Sequence, residues 1–222
     1  MLSRRPRAVL FDLDGVLLDT EPLYTQAAQT VVSRYGASYG WDLKRQTMGR
    51  DARVGARLVI DTLKLPLTVE AYLTQRAQTL RELFERTPAM PGAERFVQQL
   101  KKHCVPFAIG TSSERALCEL KFGAHPWLRA IQAVVCGDDP EIEACKPAPD
   151  IYLAAARRLG VDTDDCLVFE DSPAGVQAAR RAGMQVIAIP APQLPKADVA
   201  SADVIIAGFE QLDLAWLGLS AS

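Results

Sequence analysis

The sequence predicts an α/β protein, a doubly wound parallel sheet with a helical segment inserted near its start. Three observations predict it. Six short apolar runs recur along the chain with amphipathic stretches between them. One long stretch, 22–88, has helical periodicity and almost no strand-like run. Two of the apolar runs end in paired acids, the arrangement expected where an open sheet presents its ligand-binding edge.

The runs are 8–11, 106–110, 131–136, 166–169, 185–189 and 204–207. They are apolar on both faces, as strands of a parallel sheet must be when helices cover each side. The intervening segments carry helix punctuation. Pro173 follows Ser172 as a first-turn proline follows a cap, Gly183 lies just past the apolar stretch, and Pro149 and Gly160 bracket another helix. Alternating strands and helices imply the doubly wound sheet. The expected division is an α/β core over 1–20 and 89–222 with a helical cap over 21–88, and the proline-bearing stretch 87–92 as the return linker.

Composition narrows the partners. The 222 residues carry 25 Lys+Arg and 27 Asp+Glu, a net charge of −2. No basic excess supplies a footprint for nucleic acid. The apolar run after the basic N-terminus is stopped by Asp12 and Asp14, short of a signal-peptide core or a membrane span. A cytoplasmic monomer is expected. The five cysteines (104, 118, 136, 145 and 166) lack metal-ligand spacing and are expected as reduced thiols.

The chemistry concentrates at strand ends. The run 8–11 ends in Asp12-Leu13-Asp14-Gly15, and the period of two puts both carboxylates on one side. Glu170-Asp171 ends the run 166–169 in the same manner. Like charges about 4 Å apart repel by roughly 4 kcal/mol at an effective dielectric near 20, so converging carboxylates require counter-charge. Mg²⁺ suits oxygen ligands and phosphate together. Lys146, in front of Pro147, supplies a basic partner, and Thr111-Ser112-Ser113 offers a hydroxyl and helix-start N–H groups to an anion.

Acid pair, hydroxyl after a strand, lysine before a proline and second acid pair, in that order, resemble the four motifs of the haloacid dehalogenase superfamily. The helical insertion resembles that of its capped, β-phosphoglucomutase-like members. The resemblance implies Asp12 as nucleophile, Asp14 as general acid and base, and Mg²⁺ held by Asp12, the Asp14 carbonyl and Asp171, with Glu170 in or beside the metal's surroundings. It further implies Thr111, Ser112 and Lys146 as the phosphate grip. The implied activity is hydrolysis of a small phosphomonoester, pseudouridine 5′-phosphate or a sugar phosphate. Glycerol 3-phosphate, 2-deoxyglucose 6-phosphate and 6-phosphogluconate are alternatives, and so is a mutase. Against a mutase, Ala52 and Glu114 stand where β-phosphoglucomutase carries cationic residues. Cap residues Glu21, Gly49, Arg50 and Asp51 are the expected substrate-facing set.

Overall fold

The structure is a computed structural model that describes residues 2–47 and 52–219. Six parallel strands form one sheet in the order β3-β2-β1-β4-β5-β6. They are β1 (Ala8–Phe11), β2 (Phe107–Gly110), β3 (Ala133–Val135), β4 (Cys166–Glu170), β5 (Gln185–Ala188) and β6 (Val204–Ile205). All six predicted runs form strands. The runs at 131–136 and 204–207 are shorter than expected. Gln132, inside the former, instead accepts the Phe107 N–H through its side chain at 2.8 Å.

The period of two divides the core. Val9 and Phe11 face one side with Phe107, Ile109, Leu167, Phe169 and Ile187, packed under helix α5 (Ala93–Lys102). Phe11, Phe96, Phe169 and Phe209 meet there with ring centroids 5.3–6.4 Å apart. Ala8, Leu10, Ala108, Val168 and Val186 face the other side under α7 (Asp150–Leu159) and α8 (Pro173–Arg181). Helix α6 (Arg115–Gly123) follows β2. The Ser172 hydroxyl caps α8 by accepting the Gly175 N–H at 3.1 Å, as its sequence position suggests.

Between β1 and α5, apart from isolated bridges joining Leu18 to Asp14 and to Ala89, the regular elements among the described residues are helices: α1 (Glu21–Ser33), α2 (Trp41–Thr47), α3 (Ala52–Leu63) and α4 (Val69–Phe84). They enclose a core of their own built from Val31, Val32, Leu43, Val59, Ile60, Val69 and Tyr72. The chain leaves and re-enters the sheet region side by side. Asp19 N–H donates to the Pro88 carbonyl and Met90 N–H to the Leu17 carbonyl, each at 2.9 Å.

Strand order fixes where chemistry can occur. From β1 the chain moves outward through β2 to β3, then crosses back to β4 on the other side of β1. The carboxyl ends of β1, β2 and β4 therefore surround the crevice where the winding reverses, and that crevice is where such sheets bind ligands.

Candidate active site

Asp12 is the first residue beyond β1, its N–H donating to the Phe169 carbonyl at 3.0 Å. Lys146 reaches it from the loop before α7: Nζ donates to Asp12 Oδ1 at 2.5 Å and to Glu170 Oε1 at 2.7 Å. The Tyr152 hydroxyl also donates to Glu170 Oε1, at 2.6 Å. Glu170 Oε2 accepts the N–H groups of Asp171 and Ser172 and the Ser172 hydroxyl at 3.0–3.1 Å. Both Glu170 oxygens are thus committed inside the protein, so Glu170 anchors Lys146 and the start of α8. The fit is close, since a Cβ on Gly175 would stand 1.7 Å from Glu170 Oε1.

One ammonium serves three buried carboxylates, and the charge does not balance. Burial pushes the Asp12 carboxyl up to about 7, with Glu170 and Asp14 adding to the rise against the pull of Lys146. Burial raises Asp171 well above the carboxylate range, helped by Glu170 and Asp12. For Glu170 the burial penalty is overcome by Lys146 and by its hydrogen bonds, which leave it below its ordinary value. Lys146 therefore neutralises Glu170 first, and the surplus negative charge falls on Asp12 and Asp171. Among the described residues the Asp171 carboxylate has no hydrogen-bond partner. Gly15 (φ +82°) leaves room beside it, where a Cβ would lie 2.3 Å from Oδ2. Hard oxygen donors under mutual repulsion and open on one side fit Mg²⁺. A second group, Cys136, Asp138 and Asp139, also places ligand atoms within 4.8 Å of one another. Its Asp139 is already spent on Arg115 and Arg158, and its Asp138 accepts the Arg115 N–H.

Asp14 is served by a different lysine. Its carboxylate receives Lys121 Nζ at 2.6 and 2.8 Å and the Ser113 hydroxyl at 2.7 Å. Burial alone would raise this carboxyl, but the charge and hydrogen bonds of Lys121, with Ser113, hold it below its ordinary value. Thr111 is buried after β2; its N–H donates to the Val135 carbonyl and its hydroxyl accepts the Ser113 N–H at 3.1 Å. The helix-start donors expected to be free are therefore partly used, since the Arg115 N–H also bonds Asp138.

Asp12, Asp14, Thr111, Ser112, Lys146 and Asp171 share one cavity of about 550 Å³, roofed by the inserted helices. Glu21 lines it too and pairs with Lys44 at 3.1 Å. Ala52 and Glu114 line it, whereas Arg53 pairs with Glu70 at the exposed surface. Gly49, Arg50 and Asp51 lie outside the described residues. A second cavity of about 660 Å³, near Trp41 and Pro190, reaches Asp171 but is not lined by Asp12, Asp14 or Lys146.

Three residues of the site and its surroundings were not read from the sequence. Lys121 carried a signal, because a lysine three residues after buried Cys118 on one helix face must find a partner. Tyr152 carried none, since an aromatic in the apolar stripe of α7 reads simply as core. Arg76, on α4, lines the cavity with its guanidinium 5.4 Å from the Tyr24 ring centroid, and its Nε is buried with no hydrogen-bond partner among the described residues.

Fold and site together define a hydrolase with a doubly wound parallel sheet that gathers acids, two buried lysines and a hydroxyl at the sheet's edge. The chain belongs to the haloacid dehalogenase-like hydrolase family, whose model matches residues 6–183. It is 40% identical to a probable pseudouridine-5′-phosphatase of Drosophila melanogaster, over 98% of this chain and 96% of that one. It is 42% identical to (DL)-glycerol-3-phosphatase 1, mitochondrial, of Arabidopsis thaliana, over 90% of this chain and 69% of the other. Among solved structures, a putative β-phosphoglucomutase from Thermotoga maritima superposes with a TM-score of 0.74 at 30% identity, covering 90% of this chain and 93% of that one. CbbY from Rhodobacter sphaeroides, in complex with phosphate, gives 0.80 at 25%, covering 96% and 100%. The protein is a phosphatase of this family that acts on small phosphorylated substrates. Among the described residues no helix is long and apolar enough to cross a membrane.

Proposed function

We propose that the protein is a Mg²⁺-dependent phosphomonoesterase that works through an aspartyl-phosphate on Asp12, with residues 21–88 as its cap. The observation that carries this reading is the placement of Asp12, Asp14, Thr111 and Lys146 around the end of one roofed cavity. Asp12 attacks phosphorus and the leaving oxygen departs with a proton from Asp14. Asp14 then takes a proton from the water that cleaves the acyl phosphate, which returns Asp12 and releases phosphate. Its pair with Lys121 favours the carboxylate, the form from which that second step starts. Thr111, the Ser112 N–H and Lys146 orient the phosphoryl oxygens and offset their charge. Asp12, the Asp14 carbonyl and Asp171 would hold the metal, which when bound supplies charge neutralisation at the phosphoryl group. The roofed cavity limits bulk water at the acyl phosphate.

Pseudouridine 5′-phosphate is the first substrate candidate. The full-length match to the Drosophila relative supports it, and a cavity of about 550 Å³ has room for a nucleoside-sized leaving group. Glycerol 3-phosphate is the second reading, on the likeness to the Arabidopsis enzymes. A panel of both, with 2-deoxyglucose 6-phosphate and 6-phosphogluconate, tests the proposal. Phosphate release is expected with Mg²⁺, without a bisphosphate activator, and its loss in EDTA. Turnover that persists in EDTA contradicts the metal assignment, and isomerisation without release of phosphate makes the enzyme a mutase.

Arg76 offers unused donors to the leaving group. Arg76→Ala is expected to raise KM for the preferred substrate about tenfold with kcat within about twofold, the pattern of lost uniform binding. An unchanged KM across the panel removes Arg76 from recognition.

A further inference from the structure

Lys121 is a buried cation outside the phosphate grip, and the chemistry just described uses it only as the charge partner of Asp14. It sits on α6, its side chain fully buried, and the ammonium is surrounded on all sides. Nζ contacts both Asp14 oxygens at 2.6 and 2.8 Å, the Ser113 hydroxyl at 2.9 Å and the Tyr24 hydroxyl at 3.1 Å. The Phe84 ring lies 4.6 Å from it and the Tyr24 ring 5.4 Å. Tyr24 and Phe84 come from α1 and α4, two of the inserted helices, and Leu117 of α6 packs into the same small cluster with Ala27 and Leu80. The Asp14 side chain keeps 16% of its surface open, so it still faces the cavity.

We propose that Lys121 is a positioning residue that fixes where the Asp14 carboxylate stands relative to the leaving oxygen. A surface ion pair leaves a carboxylate free to rotate, whereas a two-oxygen contact to a fully buried ammonium fixes its direction. The Ser113 hydroxyl adds a third hydrogen bond to the carboxylate. The ammonium is itself held by Tyr24 and Ser113 and packed under Phe84, so the position it imposes is set by both the sheet region and the inserted helices. Lys121 touches neither Asp12 nor Lys146 among the described residues, and its effect on turnover runs through Asp14 alone. The inference rests on the proposed role of Asp14.

A double-mutant cycle tests it. Asp14→Asn is expected to lower kcat about 100-fold or more, the scale of general acid–base work. Lys121→Met in the otherwise intact chain is expected to lower kcat by about tenfold or more with KM within about twofold. In the Asp14→Asn background, Lys121→Met is expected to change kcat by less than about twofold, because the group it positions is gone. The double variant also removes both members of the buried pair, so neither charge is left alone. Tyr24→Phe withdraws one oxygen from the ammonium while preserving the ring. It is expected to lower kcat a few-fold, again only when Asp14 is present, and serves if Lys121→Met does not fold alone. Equal losses from Lys121→Met or Tyr24→Phe in the two backgrounds, or no loss in the intact one, overturn the positioning role. Full activity of Asp14→Asn overturns the role of Asp14 instead, so the two failures are distinct.

Discussion

Asp12→Asn is expected to abolish turnover, with kcat falling by on the order of 10⁴-fold or more, because an amide cannot act as the nucleophile. The same change is expected to leave the metal-free protein as stable as the parent or more so. Burial and neighbouring acids already hold the Asp12 carboxyl up near 7, so its ionised form is disfavoured in the fold. Lys146 keeps Glu170 as a partner at 2.7 Å when the Asp12 charge is removed. Thermal melting in EDTA beside steady-state rates checks both halves. Asp12→Asn that melts normally but retains turnover contradicts the assignment.

Lys146→Met is expected to fail in both respects. Its Nζ bonds Asp12 and Glu170 at once, and the side chain is 6% exposed. Without it Asp12, Glu170 and Asp171 are crowded with no cation among them, and breaking such a buried pair costs roughly 3–5 kcal/mol. The kcat loss is expected at about 10²–10³-fold, the scale for removing one preorganised charge from a reacting anion. Arginine is not an equivalent replacement, because the site is built around a compact ammonium stacked 4.9 Å from the Tyr152 ring centroid. Denaturant melts and rates on one preparation separate the two effects. A stable, fully active Lys146→Met removes Lys146 from the phosphate grip.

Much of the fold was legible because both faces of its strands are apolar. Val9 and Phe11 point to one layer of helices and Ala8 and Leu10 to the other. The strand-end acids were legible for a related reason, since a charged pair directly after a buried run has only the sheet edge to occupy. What stayed hidden depends on contacts made across long separations. Lys121 lies 107 residues from the carboxylate it clamps, and Tyr24 lies 97 residues from Lys121. The packing of α1 and α4 on α6 brings them together, and no local pattern encodes that packing. Glu170 was expected in or beside the metal's surroundings, and its oxygens are occupied by Lys146, Tyr152, Asp171 and Ser172. Periodicity placed it at the edge but said nothing of its partners.

The covalent step is the centre of the account, and trapping it is the most direct test. In Asp14→Asn the water that cleaves the acyl phosphate is no longer activated, so the intermediate accumulates with a substrate whose leaving group needs no proton, such as p-nitrophenyl phosphate. Acid quenching followed by intact-mass and peptide analysis is expected to find one added phosphoryl group, on the peptide containing Asp12 and lost on hydroxylamine treatment. Phosphate released with no protein-bound phosphoryl group at any time, or the label on another residue, would contradict the account.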